Sequence, residues 1–307
     1  MRKNQLGNSD LYISEMGLGC MSLGTDVEKG IRIIHEALHT GVNFLDTADL
    51  YDFGINEEIV GKAIRDRREE VIVATKVGNR WNENKDSWIW DPSSTYIKAE
   101  VKESLRRLQT DYIDLYQLHG GTMADPIDET IAAFEDLKKE GLIRHYGISS
   151  IRPNVINEFI KKSNIVSVMM QYSLLDRRPE EIFPLLKENE ISVIARGPLA
   201  KGLLTEKIHE KTSRQVIEKG YLDYSYDEIS AINGKVKDLL IPPQTVTSIA
   251  LRYPLFNETV ATIIPGASRI EQLRENIVET TTNQITKEQY DQLQIMTKSS
   301  IYQQHRI

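Results

Sequence analysis

The sequence predicts an α/β protein built as a (β/α)8 TIM barrel, and three observations lead to this prediction. Eight apolar, strand-like runs occur along the chain, and patterns typical of helices separate most of them. Parallel strands need crossover connections, and helices usually provide them. No linker rich in Pro, Gly or Ser divides the 307 residues, a length that is common for one barrel domain. We therefore expect residues 1–307 to form a single domain.

The predicted elements follow one another regularly along the chain. The strand-like runs end near Cys20, Asp46, Thr75, Leu118, Ile148, Met170, Ala195 and Ile264. Between most of these runs, apolar residues recur at helical spacing, as at Ile31, Ile34 and Leu38. Gly41 and Gly141 follow such patterns and indicate helix C-caps that lead into the next strand.

Three segments depart from this alternation. The runs Lys3–Leu6 and Leu11–Ser14 flank a turn and predict a β-hairpin that covers the bottom of the barrel. The 62 residues of segment 197–258 exceed one loop and one helix, and such insertions often form lids or binding loops. Segment 77–91 shows no helical or strand period, so we expect an extended loop at the C-terminal face of the barrel.

The composition indicates which partners and which cellular compartment to expect. The 38 basic and 45 acidic residues give a net charge of −7, which argues against nucleic acid or an anionic membrane as the main partner. Cys20 is the only cysteine, and a chain without internal disulfides is typical of a reducing compartment. No run approaches the roughly 18 apolar residues of a membrane span, and the N-terminus lacks an apolar signal region. We expect a soluble, cytoplasmic protein.

Four polar residues fall at or just after the ends of strand-like runs, and they are Asp46, Tyr51, Lys76 and His119. A parallel barrel gathers its strand ends at one face and builds its active site there. We therefore expect the four side chains to meet. Each residue alone has a simpler interpretation, such as a buried ion pair, a packing tyrosine or a core histidine. Their conjunction at strand ends indicates catalysis.

Several motifs in order resemble the aldo-keto reductase family over nearly the whole chain. They are Leu6–Leu11 with Ile13–Gly19, Asp46–Tyr51 with Asn56–Gly61, Ala74–Lys76, Asp111–Tyr116 with Leu118–His119, Gly147–Ser149, and Ile264–Arg269. The resemblance is closest to the bacterial general-reductase branch of that family. It implies an NADP-dependent oxidoreductase that acts on a small-molecule carbonyl substrate, an aldehyde or a reactive ketone.

The four strand-end residues suit carbonyl reduction, in which a hydride reaches the carbon and a proton reaches the oxygen. A tyrosine has an ordinary pKa of about 10 and needs a neighbouring cation to act as the acid. Lys76 can supply the cation, Asp46 can keep the lysine charged, and His119 can orient the carbonyl. The family assigns these roles to the matching residues, with Tyr51 as proton donor and without a metal.

The resemblance also implies that NADP or NADPH lies across the barrel mouth, and the sequence lacks the Gly-x-Gly-x-x-Gly motif of a Rossmann site. The implied cofactor contacts are Gly19, Cys20, Met21, Ser149, Gln171, Arg196, Gly197, Pro198, Leu199, Lys201, Ser268, Arg269, Gln272 and Asn276. Ser149 and Gln171 match partners of the nicotinamide amide, and Arg196 stands where many members have a stacking tyrosine. Ser268 and Arg269 open a predicted helix, whose N-terminus suits the 2′-phosphate.

The three tryptophans of the chain, Trp81, Trp88 and Trp90, all lie in segment 77–91. This segment follows Lys76 and must leave from the catalytic face of the barrel. Large aromatic side chains at that face can form the walls of an apolar substrate pocket. We therefore predict that the tryptophans contact the substrate.

Two alternatives remain open at this point. His35 and His39 form a His-Glu-x-x-His motif, which can bind zinc in a hydrolase. The apolar face of the same helix, directly before the strand that ends at Asp46, favours a position in the outer ring instead. The second alternative is a non-catalytic, NADP-binding regulatory subunit on the same barrel. Related channel subunits lack the histidine, and His119 is present here.

Overall fold

The computed structural model describes residues 1–206, Ile208 and 212–306. The strands are β1 (Lys3–Gln5), β2 (Tyr12–Ser14), β3 (Leu18–Gly19), β4 (Phe44–Asp46), β5 (Ile72–Val77), β6 (Asn79–Trp81), β7 (Trp88–Trp90), β8 (Ile113–Leu118), β9 (Ile143–Ser149), β10 (Ser167–Gln171), β11 (Ser192–Arg196) and β12 (Val260–Ile264). The helices are α1 (Val27–His39), α2 (Ile55–Ile64), α3 (Ser94–Leu108), α4 (Ile127–Lys139), α5 (Pro153–Lys162), α6 (Phe183–Glu188), α7 (Arg214–Lys219), α8 (Tyr226–Asp238), α9 (Val246–Leu255), α10 (Ile270–Thr282) and α11 (Lys287–Met296).

Eight strands of the described chain form one parallel sheet that curves into a barrel. Hydrogen-bonded neighbours follow the order β12, β11, β10, β9, β8, β5, β4, β3. Parallel bridges from Met16 to Ile263 and from Gly19 to Gly266 bring the two edge strands together. The predicted (β/α)8 barrel is therefore confirmed. The carboxyl ends of all eight strands lie at one face, which is where barrels of this kind carry their active sites.

The helices pack around the barrel through their apolar faces, and α1 illustrates why. Asp26 caps its N-terminus, where the Asp26 side chain accepts a hydrogen bond from the Lys29 backbone nitrogen at 3.0 Å. Gly30 allows close contact with α2, because a Cβ atom there would lie 2.6 Å from the Ile59 side chain.

Within the described residues, no helix combines the length and apolar character needed to cross a membrane.

The predicted N-terminal hairpin is confirmed and covers the bottom of the barrel. Strands β1 and β2 pair in antiparallel fashion. The side chains of Leu6, Leu11 and Ile13 are buried in a cluster with Phe44 and Met169 from the barrel interior. The Gly7 backbone nitrogen donates to Ser192 Oγ at 2.8 Å, at the start of β11. The barrel is thus closed at this end and open at the other.

The expectation of an irregular loop over residues 77–91 is wrong, because β6 and β7 form an antiparallel hairpin there. Each strand has only three residues, and only Asn79 among the six is buried, so no apolar alternation marks them in the sequence. The 197–258 insertion also contains regular structure. Helices α7 and α8 lie within it, and α9 is the barrel helix that precedes β12.

Candidate active site

The four residues predicted to be catalytic lie together at the open face of the barrel. Asp46 ends β4, and Lys76 lies near the end of the neighbouring strand β5. His119 directly follows β8, and its backbone nitrogen donates to the Val77 carbonyl at 2.8 Å. Tyr51 begins a short 3-10 turn in the connection after β4. Three neighbouring strands and one loop therefore supply the group.

The ammonium group of Lys76 is the centre of this arrangement. Its Nζ donates to Asp46 Oδ2 at 2.8 Å, to the Thr47 carbonyl at 2.7 Å and to the Tyr51 hydroxyl oxygen at 3.3 Å. These bonds use all three donors of an ammonium group. The Tyr51 oxygen accepts from Lys76, so its own hydrogen remains available to a substrate oxygen.

Burial and charge pairing control the protonation of Lys76 and Asp46. The Lys76 side chain is 0% exposed. Burial alone would lower the pKa of Lys76, but Asp46 and Tyr51 outweigh that effect and raise it. Burial raises the pKa of Asp46, and the Lys76 cation opposes the rise. Asp46 therefore keeps a buried positive charge on Lys76, next to the Tyr51 hydroxyl.

The loop that carries Tyr51 has an unusual backbone. Asp52 and Phe53 have φ angles of 48° and 50°, in the left-handed region that ordinary residues rarely adopt. Strain of this kind persists only where surrounding contacts hold it. The Phe53 ring contacts the Trp81 ring edge-on, with 6.2 Å between the centroids.

A buried ionic network centred on Arg107 supports the loop that carries Tyr51. The guanidinium of Arg107 lies 5.2 Å from the centroid of the Trp81 ring. Its Nε donates to Glu57 Oε2 at 2.6 Å, and Glu57 Oε1 accepts from Thr75 Oγ1 at 2.5 Å. Thr75 directly precedes Lys76 in β5. The network thus links the Tyr51 loop to the strand that carries the lysine.

His119 completes the group as a neutral imidazole. Its ring contacts the Tyr51 ring edge-on, with 5.9 Å between the centroids. Burial and, to a lesser extent, the positive charges of Lys76 and Arg196 together lower the pKa of His119 to about 3. Its Nδ1 atom is buried without a hydrogen-bond partner among the described residues. A neutral imidazole can orient a carbonyl by hydrogen bonding without adding another cation.

A cavity of about 690 Å³ opens above these residues. Its lining includes His119, Ser149, Arg196, Trp88 and Trp90. The Trp88 side chain is half exposed, whereas the Trp90 ring packs over Gly78 and Gly120 and its Nε1 donates to Asp125 Oδ1 at 3.0 Å.

Comparison with known proteins gives the family. Residues 15–298 match the Aldo/keto reductase family. The chain belongs to the aldo/keto reductase family. It is 59% identical over 306 residues to the uncharacterized oxidoreductase YqkF of Bacillus subtilis, with 100% of both chains covered. It is 35% identical to the NADH-specific methylglyoxal reductase of Escherichia coli, with 90% of this chain and 93% of that protein covered. The holo form of aldo-keto reductase AKR11C1 from Bacillus halodurans superposes with a TM-score of 0.94 at 55% identity, over 100% of each chain.

As an aldo/keto reductase, the protein is an oxidoreductase that uses a nicotinamide cofactor. At the predicted nicotinamide end, Gln171 is already largely engaged by the protein. Its Nε2 donates to Asp176 Oδ2 at 2.8 Å and to the Tyr221 hydroxyl at 3.1 Å. Its Oε1 accepts from Arg196 at 3.1 Å. A carbonyl oxygen has two lone pairs, so Oε1 can accept one further hydrogen bond, as from a carboxamide NH2.

The predicted adenosine end contains a buried group that lacks a partner. Asn276, on α10, is 3% exposed, and its Nδ2 has no hydrogen-bond partner among the described residues. A buried amide donor of this kind is costly unless a ligand or water satisfies it. It therefore fits the adenine contact that the family pattern assigns. The Ser268 backbone nitrogen donates to Gln272 Oε1 at 3.1 Å, so Gln272 must turn away before that nitrogen can donate to a phosphate.

The remaining predicted cofactor residues lie on two stretches at the same face. Gly19 ends β3, Met21 is exposed, and Cys20 is wholly buried with Sγ directed at the Leu18 carbonyl. The Cys20 side chain is therefore not available to a cofactor. The other stretch follows β11 and comprises Gly197, Pro198, Leu199 and Lys201. Gly197 has a φ of 65° and is exposed, so a ligand can approach its backbone closely.

The His-Glu-x-x-His motif lies on α1, in the outer ring. His35 Nε2 contacts the Ala63 carbonyl at 2.9 Å. The described part of the chain contains no group of three or more His, Cys, Asp or Glu side chains that could hold a metal ion. The motif thus lies away from the barrel mouth, and its His35 contacts the neighbouring helix α2.

Some residues around the cavity have no counterpart in the sequence prediction. Arg152 lines the cavity three residues after Ser149. The sequence could have indicated Arg152, because residues that follow the carboxyl end of a barrel strand lie at the active face, as His119 does. Tyr302 and His305 also line the cavity. No local pattern in the sequence indicates that the C-terminal tail returns to the barrel mouth.

The positions of the tryptophans predict different effects on substrate choice. Trp88→Ala and Trp90→Ala should each change the ratio of kcat/KM between butanal and benzaldehyde by about tenfold, or roughly 1.4 kcal/mol. Trp81→Ala is the matched control, because Trp81 faces Phe53 and Arg107 instead of the cavity. Steady-state kinetics with a melting-temperature check would measure this. An unchanged ratio in both cavity variants would show that the hairpin does not set specificity.

Proposed function

We propose that the protein is an NADPH-dependent reductase of aldehydes or reactive ketones, with Tyr51 as the proton donor. The observation that carries the proposal is the buried pair of Lys76 and Asp46 beneath the Tyr51 hydroxyl, with 3.3 Å between Lys76 Nζ and the phenol oxygen. A cation beside the phenol favours proton release, because it stabilises the negative charge that develops on the oxygen.

The residues of the chain have separate tasks in this mechanism. When bound, the nicotinamide supplies the hydride that reduces the carbonyl carbon. Tyr51 gives its proton to the carbonyl oxygen, and Lys76 stabilises the phenolate that remains. Asp46 keeps Lys76 charged through the 2.8 Å contact. His119, neutral because its pKa is about 3, orients the carbonyl by hydrogen bonding and leaves proton donation to Tyr51.

A carbonyl screen with both cofactors tests this function. We expect absorbance at 340 nm to fall when aldehydes are added to the protein with NADPH, and to fall more slowly with NADH. The same screen addresses the regulatory-subunit alternative. Cofactor binding without turnover of any aldehyde or ketone would contradict the enzymatic proposal.

The choice of NADPH over NADH rests on Arg269. It is exposed at the start of α10, and no carboxylate partner for it occurs among the described residues. An arginine fork at a helix N-terminus suits a phosphate. The relative from Escherichia coli is an NADH-specific methylglyoxal reductase, so the family alone does not decide the cofactor.

Arg269→Ala should therefore weaken NADPH binding by on the order of tenfold to a hundredfold and change NADH binding little. Only NADPH carries the 2′-phosphate that the guanidinium would hold. Fluorescence titration of both cofactors would measure the two Kd values. Arg274→Ala is the control on the same helix, because Arg274 already pairs with Glu36 at 2.7 Å. Equal weakening of NADPH and NADH would place the phosphate elsewhere.

A further inference from the structure

Three arginines line the cavity above His119, and only one of them forms an ion pair with a carboxylate among the described residues. Arg178 is neutralised by Asp176 through two contacts of 2.7 and 2.8 Å. Arg152 and Arg196 make no ion pair with a carboxylate among the described residues. Guanidinium groups that line a cavity without a carboxylate partner are suited to an anionic ligand.

Hydrogen bonds hold Arg152 in position, but most N–H groups of its guanidinium remain available. It follows β9 and caps α5, and its backbone nitrogen donates to Ser150 Oγ at 3.3 Å. One guanidinium nitrogen, Nη1, donates to the Gly121 carbonyl. A guanidinium has five N–H donors. This single anchor orients the group and leaves most of its donors free for a ligand.

The other charged groups of the cavity do not cancel this charge. His119 is neutral, since its pKa is about 3. Asp223 is the one acidic side chain on the lining of the described cavity; it is exposed and accepts from Ser300 Oγ at 2.9 Å. A carboxylate in contact with solvent is well screened. The cavity is therefore positive in a chain whose net charge is −7.

The cofactor accounts for Arg196 but not for Arg152. Arg196 bonds to Gln171, in the region where the family pattern puts the nicotinamide. The cofactor phosphates are expected near Lys201 and Arg269, after β11 and β12, whereas Arg152 follows β9. Arg152 lies three residues beyond Ser149, the predicted partner of the nicotinamide amide, and it lines the same cavity as Trp88 and Trp90, the predicted substrate contacts.

We infer that Arg152 is a specificity-determining residue that binds a carboxylate on the substrate, so that the preferred substrates are aldehydes carrying a carboxylate away from the carbonyl. The inference rests on the proposed reductase function and adds the substrate class. The planar guanidinium matches a carboxylate in a two-point contact. The reduction consumes only the aldehyde group, and the carboxylate leaves unchanged on the alcohol product.

A pair of substrates that differ only in charge tests the inference. The probes are 4-oxobutanoate and its methyl ester, both with NADPH, at low and at high salt. We expect kcat/KM for the acid to exceed that for the ester by about tenfold at low salt, because a charge-assisted contact is made only by the acid. The preference should shrink at high salt, where charges are screened.

Three variants connect the preference to Arg152. Arg152→Gln should lower the acid-to-ester ratio by about tenfold, and Arg152→Lys should retain part of it. Arg67→Gln removes an equal charge before β5, at the closed end of the barrel, and should leave the ratio unchanged.

The outcomes separate the inference from the function on which it rests. An acid-to-ester ratio near one in the wild type, or a ratio that Arg152→Gln leaves intact, would overturn the carboxylate subsite while the reductase function stands. An equal loss of both rates in Arg152→Gln would make the residue structural and also overturn the subsite. Failure of the wild type to reduce either aldehyde would overturn the reductase function and the subsite together.

Discussion

Tyr51→Phe is expected to lower kcat for carbonyl reduction by on the order of 10² to 10⁴, the usual loss when a general acid is removed. The substitution deletes only the hydroxyl that lies 3.3 Å from Lys76 Nζ. The edge-on ring contact with His119 is retained, since it involves the aromatic ring. The cofactor should bind with nearly unchanged affinity, because the other predicted contacts remain. Steady-state kinetics and a fluorescence titration of NADPH measure the two properties separately.

Tyr12→Phe provides the matched control for this variant. Tyr12 is 55% exposed on β2, at the closed end of the barrel, so loss of its hydroxyl should change neither rate nor binding. A Tyr51→Phe enzyme with near-normal kcat would show that another group delivers the proton. His119 would then be the next candidate, as its ring is in contact with that of Tyr51.

The barrel and the Asp46, Lys76 and His119 cluster can be predicted from sequence because each depends on a short-range pattern. Apolar runs of strand length mark the barrel strands, and the polar residue at each run's end marks the active face. The topology then brings together residues that are distant in the chain. The local patterns therefore predict the site once the strand ends are known to meet at one face. Arg152 also follows a strand end, that of β9.

The positions of Trp81 and the C-terminal tail could not be predicted in this way. The strands of the 77–91 hairpin are three residues long, which is too short for a period to appear. The pairing of Trp81 with Trp88 and the contact of Trp81 with Phe53 are tertiary. The tail is held at the cavity by contacts such as that from the Asn154 nitrogen to the His305 carbonyl at 2.9 Å. Such contacts between distant segments leave no local signal.

Lys76→Met is expected to remove activity and also to lower the free energy of unfolding by about 3 to 5 kcal/mol, the range for breaking a buried ion pair on one side. Methionine keeps much of the volume of lysine but leaves the Asp46 carboxylate buried without its cation. In the wild type the pKa of Lys76 is raised, because Asp46 and Tyr51 outweigh the lowering by burial. The lysine's stabilising charge is therefore fully present below its unfolded-state pKa of about 10.4 and is lost only as pH rises through the higher folded-state value.

The double variant Asp46→Asn/Lys76→Met separates this charge effect from packing. It removes both charges, so it should recover most of the stability lost in Lys76→Met while remaining inactive. Burial already raises the pKa of Asp46 with Lys76 present, and without the cation the folded state should bind a proton still more readily than the unfolded state. The stability of Lys76→Met should then rise as pH falls from about 8 to about 5, and the gap to the double variant should close. Urea unfolding at several pH values would measure both trends. A gap that stays constant with pH would show that the loss comes from packing, and that Asp46 is not the group that makes Lys76 a stable buried cation.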